Sequence, residues 1–310
     1  MLLKFNFADS KYTNMIQNKT LKGVFLVGLG ASSYGMLASF VKMAYQEGYT
    51  TAEVSGSQFT LGLLGVLILN IILLLKKNDK EIKISKKQII QLISAGTSMG
   101  FTSVFYYLSV RYVPVSIGIV LLMQTVWMGV LLEMLLDKTK PSLQKIIAVI
   151  ITLTGTVLAT NLLNSTISLD WRGFFWGILA AAAFTTTMFS ANRVAPEISS
   201  IRRSFFMLIG GTFIVIAFGF ITQATPFNFS IFMKWGVILA LFGTIVPPLL
   251  LNTGFPLTGI GLGSIVSALE LPVSVAMAYF LLFEKVNGLQ WFGIFLIIMA
   301  IILMNIRFKK

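Results

Sequence analysis

Glu270 is the side chain with the most chemistry to offer. It lies in Ser264-Ile265-Val266-Ser267-Ala268-Leu269-Glu270-Leu271-Pro272, a stretch otherwise apolar apart from small hydroxyls. At the centre of a membrane helix a charged side chain costs about 2.5–3.5 kcal/mol on insertion scales. Such a carboxyl must face a polar cavity, hydrogen-bond to its neighbours, or stay protonated. It can hold a cationic group such as an amine, exchange a proton, or simply tie helices together while neutral. Gln124 and Trp127, one turn apart, are further candidates, as are Tyr34, Ser98, Thr102, Thr185 and Ser267. For each of these the competing reading is ordinary packing, with hydroxyls bonded to helix carbonyls and aromatics filling gaps.

Absent residue types narrow the chemistry. The chain has no histidine and no cysteine, which removes His-based triads, HExxH zinc sites, histidine proton relays, disulfides and thiol chemistry. No GxxxxGK[ST] phosphate loop occurs. Gly28-Leu29-Gly30-Ala31-Ser32-Ser33 has the outline of a dinucleotide fingerprint, but it lies inside an apolar segment with no preceding strand. There, small residues that let helices approach are the simpler account. No cofactor or metal is expected, and an enzyme would have to work with Asp or Glu alone.

The elements that must position these residues follow from composition. The 310 residues are 56% hydrophobic and 11% charged, with mean hydropathy +0.86, against about 25% charged in soluble domains. The pattern predicts an all-α membrane protein with ten helical spans of about 20 residues. They run over 21–45, 54–75, 88–110, 114–136, 142–163, 171–193, 203–223, 232–255, 260–283 and 288–307. Residues 1–20 are a polar, basic tail, and the first span is too long for a typical cleaved signal, so it is read as retained. Pro247-Pro248 are expected to break the eighth span and Pro256 to end it.

The formal charge of +13 follows topology rather than a nucleic-acid surface. All but five of the basic residues fall on one side of the alternating connections, from Lys4, Lys11, Lys19 and Lys22 through Lys76, Lys77, Lys80, Lys83, Lys86 and Lys87. They continue through Lys138, Lys140, Lys145, Arg193, Arg202 and Arg203 to Arg307, Lys309 and Lys310. The exceptions are Lys42, Arg111, Arg172, Lys234 and Lys285. The positive-inside rule then places both termini in the cytoplasm, and the expected location is the cell's inner membrane. Glu133 is read as structural, near the basic interface, and Glu284-Lys285 as a solvated pair or helix cap.

The chain also repeats itself. Shifted by 146 residues, Ile119-Val120 falls on Ile265-Val266, Leu135-Leu136 on Leu281-Leu282, and Gln124 on Glu270. A shift of 150 brings Gly23, Phe25 and Tyr34 onto Gly173, Phe175 and Phe184. Each half, 21–163 and 171–307, holds five spans, so the second enters the membrane from the opposite side: an inverted repeat, as in many secondary transporters. Pro272, with no counterpart after Gln124, is expected to free carbonyls beside Glu270.

The stretch Leu269-Glu270-Leu271-Pro272-Val273, Ala276 to Leu282, Glu284-Lys285 and Leu289-Gln290-Trp291-Phe292-Gly293 resembles the hallmark of the EamA family of the drug/metabolite transporter superfamily. The first half, from Tyr106-Tyr107-Leu108 through Leu121-Leu122-Met123-Gln124 to Leu143-Gln144-Lys145, is a weaker copy. It lacks the family's proline and has Leu136-Asp137-Lys138 where the family has Gly-Glu. The resemblance spans about 21–307 and implies two inverted five-helix bundles around a central cavity, exporting amino acids, related metabolites or drugs. Glu270 and Gln124 become its foremost cavity residues. The expected partners are a small-molecule substrate, the lipid bilayer and protons as a coupling ion, with no nucleic acid. The alternatives are an uncoupled facilitator or channel, an intramembrane enzyme, and, within transport, a nucleotide-sugar carrier, for which basic midplane residues are missing.

Overall fold

The computed structural model describes the backbone of residues 3–76, 84–162 and 170–305, with side chains from residue 18 to 304 within those ranges. The charges at Lys77, Lys80, Lys83, Arg307, Lys309 and Lys310, the side chains of Lys4 and Lys11, and the boundaries drawn at 163 and 307 lie outside the described residues. Within them every regular element is helical. That is the economical solution where no water is available to satisfy backbone groups.

The first half comprises α1 (Leu3–Gln46), α2 (Thr51–Leu75), α3 (Lys86–Val110), α4 (Val115–Leu122), α5 (Thr125–Asp137) and α6 (Leu143–Ala159). The second comprises α7 (Trp171–Arg193), α8 (Ser200–Thr222), α9 (Val237–Ala240) between the π-turns Phe232–Gly236 and Leu241–Ile245, α10 (Val246–Thr258), α11 (Ile260–Ser267), α12 (Glu270–Leu281) and α13 (Gly288–Asn305). From Leu3 on, the tail expected over 1–20 thus continues the first helix backward. Helix starts are written locally in the sequence. Thr50 and Glu53 form a reciprocal capping box on α2, and Ser85 with Gln88 does the same for α3.

Among the described residues, seven rods are long and apolar enough to cross a membrane: Asn18–Gln46, Thr51–Leu75, Val115–Asp137, Trp171–Arg193, Ser200–Thr222, Phe232–Thr258 and Ile260–Leu281. Leu143–Ala159 and Gly288–Met304 are apolar but shorter. α3 has the length, but its run of Ser, Thr and Gly leaves it less apolar. Large side chains such as Phe220 and Ile221 remain 84% and 83% uncovered, an exterior suited to lipid tails.

Two rods are broken in the middle, at matching places. α4 gives way to α5 at Met123-Gln124, and α11 to α12 at Ala268-Leu269. Both breaks tighten into three-residue bonding: Gln124 N–H donates to Leu121 O at 3.1 Å, and Leu269 N–H to Val266 O at 3.0 Å. Pro272 is not the cause, because the first half breaks without a proline. It occupies the third position of α12, where a helix demands no donor. The Ala268 carbonyl that it leaves unserved accepts instead from Leu271 N–H at 3.2 Å, so the expected free carbonyl is absent there. In the eighth rod the irregularity likewise precedes the prolines: Pro247 and Pro248 open α10, while the π-turns lie before them. Pro256 sits inside α10, which ends at Thr258 on Gly259 with φ +77°, a conformation that glycine adopts without strain.

Packing obeys the repeat. α1 lies on α10 as α7 lies on α3, and α2 lies on the α9 segment as α8 lies on α3. α6 meets α13, and α2 meets α8, each pair mapping onto itself. Small residues permit these approaches. A Cβ added at Gly155 would stand 2.7 Å from the Gly293 carbonyl, and one at Gly100 2.6 Å from that of Gly211. Glu284 does not pair with Lys285: it forms an ion pair with Lys42 of α1.

Candidate functional site

Residues that meet their own repeat partners mark the molecule's pseudo-two-fold axis. Tyr34 of α1 and Phe184 of α7 do so, edge to face, with ring centroids 6.3 Å apart and planes at 82°. The helix beside Tyr34 is drawn in tightly. A Cβ at Gly35 would stand 2.8 Å from Val273 Cβ and 3.0 Å from Ser274 N, and would collide with the Glu270 carbonyl. The first turn of α12, which carries Glu270, is therefore laid against α1 at Gly35.

Glu270 and Gln124 share a repeat position but differ in their bonding. Gln124 Nε2 donates to Val120 O at 3.0 Å, and its Oε1 accepts from Trp127 Nε1 at 2.9 Å. Both ends of that amide are occupied, and the Trp127 ring is left 37% exposed. Shifted by 146, Trp127 becomes Val273, which has no N–H to offer, and an ionised carboxylate cannot donate to a carbonyl. Glu270, half-buried, has neither a hydrogen bond nor an ion pair from its side chain to any described residue. An uncompensated carboxylate in such surroundings costs several kcal/mol on the order-of-magnitude scale of buried charges.

The remaining sequence candidates spend their hydroxyls between helices or within one. Ser98 Oγ meets Thr187 Oγ1 at 2.8 Å, joining α3 to α7, and Thr125 Oγ1 meets Thr185 Oγ1 at 2.8 Å, joining α5 to α7. Thr102 Oγ1 donates to Ser98 O at 2.8 Å, and Ser267 Oγ to Gly263 O at 2.9 Å. Tyr34 alone among the candidates lines a small recess, which it shares with Phe184, Thr187, Met99, Met188, Met207, Leu251, Asn252 and Phe255. Sequence reading missed most of that wall, because Met, Leu and Phe look the same whether they line a recess or a core.

It also misread Arg203. Counted among the charges of an interfacial connection, Arg203 is only 1% exposed. Its guanidinium donates to Asn252 O at 2.8 Å, Ser190 O at 3.1 Å and Ala191 O at 2.5 Å. It thereby closes the end of α7 against α8 and α10. Asn252 Nδ2 donates to Ser204 Oγ at 2.8 Å. An arginine in the first turn of an apolar helix was the available signal.

The two ends of the broken rods differ. α5 and α11 pack together: Ser264 Oγ donates to Val126 O at 3.1 Å, and a Cβ at Gly129 would meet Ser264 Cβ at 2.6 Å. Glu133 of α5 accepts from Gly261 N–H at 3.2 Å and forms an ion pair with Lys145 of α6, consistent with its reading as structural. Arg193 pairs with Asp137 at the same end. By contrast α4 packs on α7 and α3, and α12 on α1, so the other halves of the broken rods part toward different neighbours.

Comparison with known proteins places this geometry in a family. A solved structure titled "Crystal structure of protein" superposes with TM-score 0.72 at 12% identity, covering 91% of this chain and 95% of that one, which shows a shared fold. No curated protein matches. The model of the EamA-like transporter family matches twice, over residues 21–161 and 171–306. With two copies of that domain and seven helices of membrane-crossing length, this chain belongs to the EamA-like transporter family, as a multi-pass membrane protein that moves small solutes.

Proposed function

We propose that the chain is an alternating-access carrier that exports a small organic solute through a site between its two halves. The observation that carries this reading is the pair of matched breaks at Met123-Gln124 and Ala268-Leu269, with α5 and α11 in contact beyond them while α4 and α12 diverge. Discontinuous helices at the repeat interface are where carriers of this architecture bind substrate. One sealed and one parted end is what a carrier presents in one of its two access states. In this reading all ten rods cross the bilayer, including the short α6 and α13 and the more polar α3. The halves 21–163 and 171–307 are inverted five-helix repeats, and both termini lie in the cytoplasm of a cell whose inner membrane holds the protein. Glu270 is the principal substrate- or proton-binding group. Gln124 and Trp127 form the opposing wall, and Tyr34 stands on the axis. Ser98, Thr102, Thr185 and Ser267 complete the lining in the other access state, when their present bonds exchange.

A thermal-shift screen of the purified protein over amino acids, polyamines and nucleotides would find a stabilising solute. Counterflow of that solute in proteoliposomes is then expected to saturate and to be accelerated by solute on the far side. Flux linear in concentration, with no trans-stimulation, would mean a channel and end the carrier reading.

A further inference from the structure

We propose that the parted end of the broken rods is closed, in the other access state, by Tyr279 of α12, backed by Trp291 of α13 and seated on the first turn of α4 at Val115. This deepens the carrier reading and rests on it for the existence of a second state. It starts from the contact between the broken rods. α5 on α11 is the most extensive packing whose repeat image is missing, because α4 and α12 do not pack together. The residues that make the sealed end therefore name, position by position, those that would close the parted one.

In the sealed end Glu133 of α5 reaches across to the Gly261 N–H at 3.2 Å and is held from behind by Lys145 of α6. Shifted by 146 residues, Glu133 becomes Tyr279, Lys145 becomes Trp291, and Gly261 becomes Val115. Half of the image already stands. Tyr279 meets Trp291 edge to face, with ring centroids 5.7 Å apart and planes at 78°, where Glu133 meets Lys145. The other half is unspent. Tyr279 is 42% exposed and Val115 58%, and the Tyr279 hydroxyl makes no hydrogen bond to any described residue. Its oxygen can accept from the Val115 N–H as the Glu133 carboxylate accepts from that of Gly261. The two closures differ in kind. Ser264, whose hydroxyl donates to Val126 O in the sealed end, becomes Gly118, and the ion pair becomes an aromatic pair. With fewer polar links across it, the outer pair closes less firmly, which favours the state with α5 on α11.

The test uses the full chain in lipid nanodiscs, where the absence of native cysteine allows spin labels to be placed in pairs. Arg111 with Phe283 spans the parted end, and Leu135 with Thr258 spans the sealed one. Distances are read by double electron–electron resonance. Glu133→Gln combined with Lys145→Met weakens the sealed end and is expected to lengthen Leu135–Thr258 while a shorter Arg111–Phe283 population appears. Adding Tyr279→Ala is expected to cut that short population several-fold, and Tyr279→Phe, which loses only the hydroxyl, to cut it less. If Tyr279 is merely an aromatic anchor at the membrane interface, the population stays where it was in both variants, and that result would overturn the proposal. So would a sealed end that opens with no shortening across the parted one. Gly129→Leu, whose side chain drives into Ser264, opens the same end by a second route should the first variant not fold. A sealed end that stays shut in every folded variant would also sink the idea, since the two closures would not be alternatives. Saturable, trans-stimulated counterflow with a short population indifferent to Tyr279 would end this assignment and leave the carrier reading standing. Exchange of the two distances without counterflow would do the reverse.

Discussion

At the scale of single residues, the most telling contrast is between two side chains of the same size and shape. Gln124 closes its own helix break by donating back to Val120 O and accepting from Trp127. Glu270, at the equivalent place, makes no such side-chain bond to any described residue. Gly35 is a second position where one atom matters. Its repeat counterpart is Thr185, which reaches α5 through a hydroxyl bond to Thr125, whereas Gly35 lets α1 touch the α12 backbone directly. Gly35→Val should force these helices apart at a cost of about 1–3 kcal/mol, typical of overpacking. Thermal unfolding in detergent should register a lowered midpoint, with Gly288→Ala, where a Cβ meets nothing within 4 Å, unchanged. Arg203 is a third. Arg203→Met strips a guanidinium from three buried carbonyls and should destabilise by about 2–4 kcal/mol, at the upper end for charge-assisted bonds. Arg203→Lys should recover only part, because an ammonium does not reproduce the fork. An unfolding midpoint for Arg203→Met equal to wild type would show that the carbonyls find other donors.

At the scale of elements, starts and breaks carry the structure. Asp170 caps α7 by accepting from Arg172 N–H at 2.9 Å, and its carboxylate grips the Arg172 side chain at 2.7 Å. These bonds and the adjacent guanidinium hold the Asp170 carboxyl below the usual carboxylate range. Because the folded state favours the ionised form, this contribution is complete above the unfolded value of about 3.9 and fades as pH falls through the lowered value. Asp170→Asn should therefore be less stable than wild type at neutral pH, with the difference vanishing in acid. A difference constant with pH would assign the effect to the cap alone. The seal between α5 and α11 is the other element-scale device. Glu133→Gln removes the ion pair with Lys145 and weakens the contact to Gly261. It is expected to raise the labelling rate of a single cysteine placed at Thr258 several-fold with an impermeant maleimide in inside-out vesicles. The chain has no cysteine of its own, so the background is clean. An unchanged rate would mean that this contact does not hold the end shut.

At the scale of the whole molecule, two copies of one domain pack so that contacts exchange with the halves, and function follows from where the exchange fails. If the halves are inverted, single cysteines at Lys309 and Lys138 should be reachable only from the cytoplasmic side, and one at Glu284 only from the opposite side. Labelling of Lys309 and Glu284 from one side would refute the topology. Much of this was legible in the residues alone. Apolar runs with short polar connections dictate membrane helices because lipid offers no partner for exposed backbone. The repeat is visible because each half must place like residues at like depths, and Glu270 stands out because an unpaired carboxyl there is costly. Only the tertiary structure decided the rest. That the helices break at Gln124 and Glu270 without help from proline depends on what lies against them. That Ser98 and Thr185 are spent on other hydroxyls, that Arg203 is buried on carbonyls, and that methionines wall the recess depend on which helix faces meet. In a membrane protein nearly every face is apolar, so periodicity cannot distinguish the side turned to lipid from the side turned inward. Close packing at glycines such as Gly35 makes that choice.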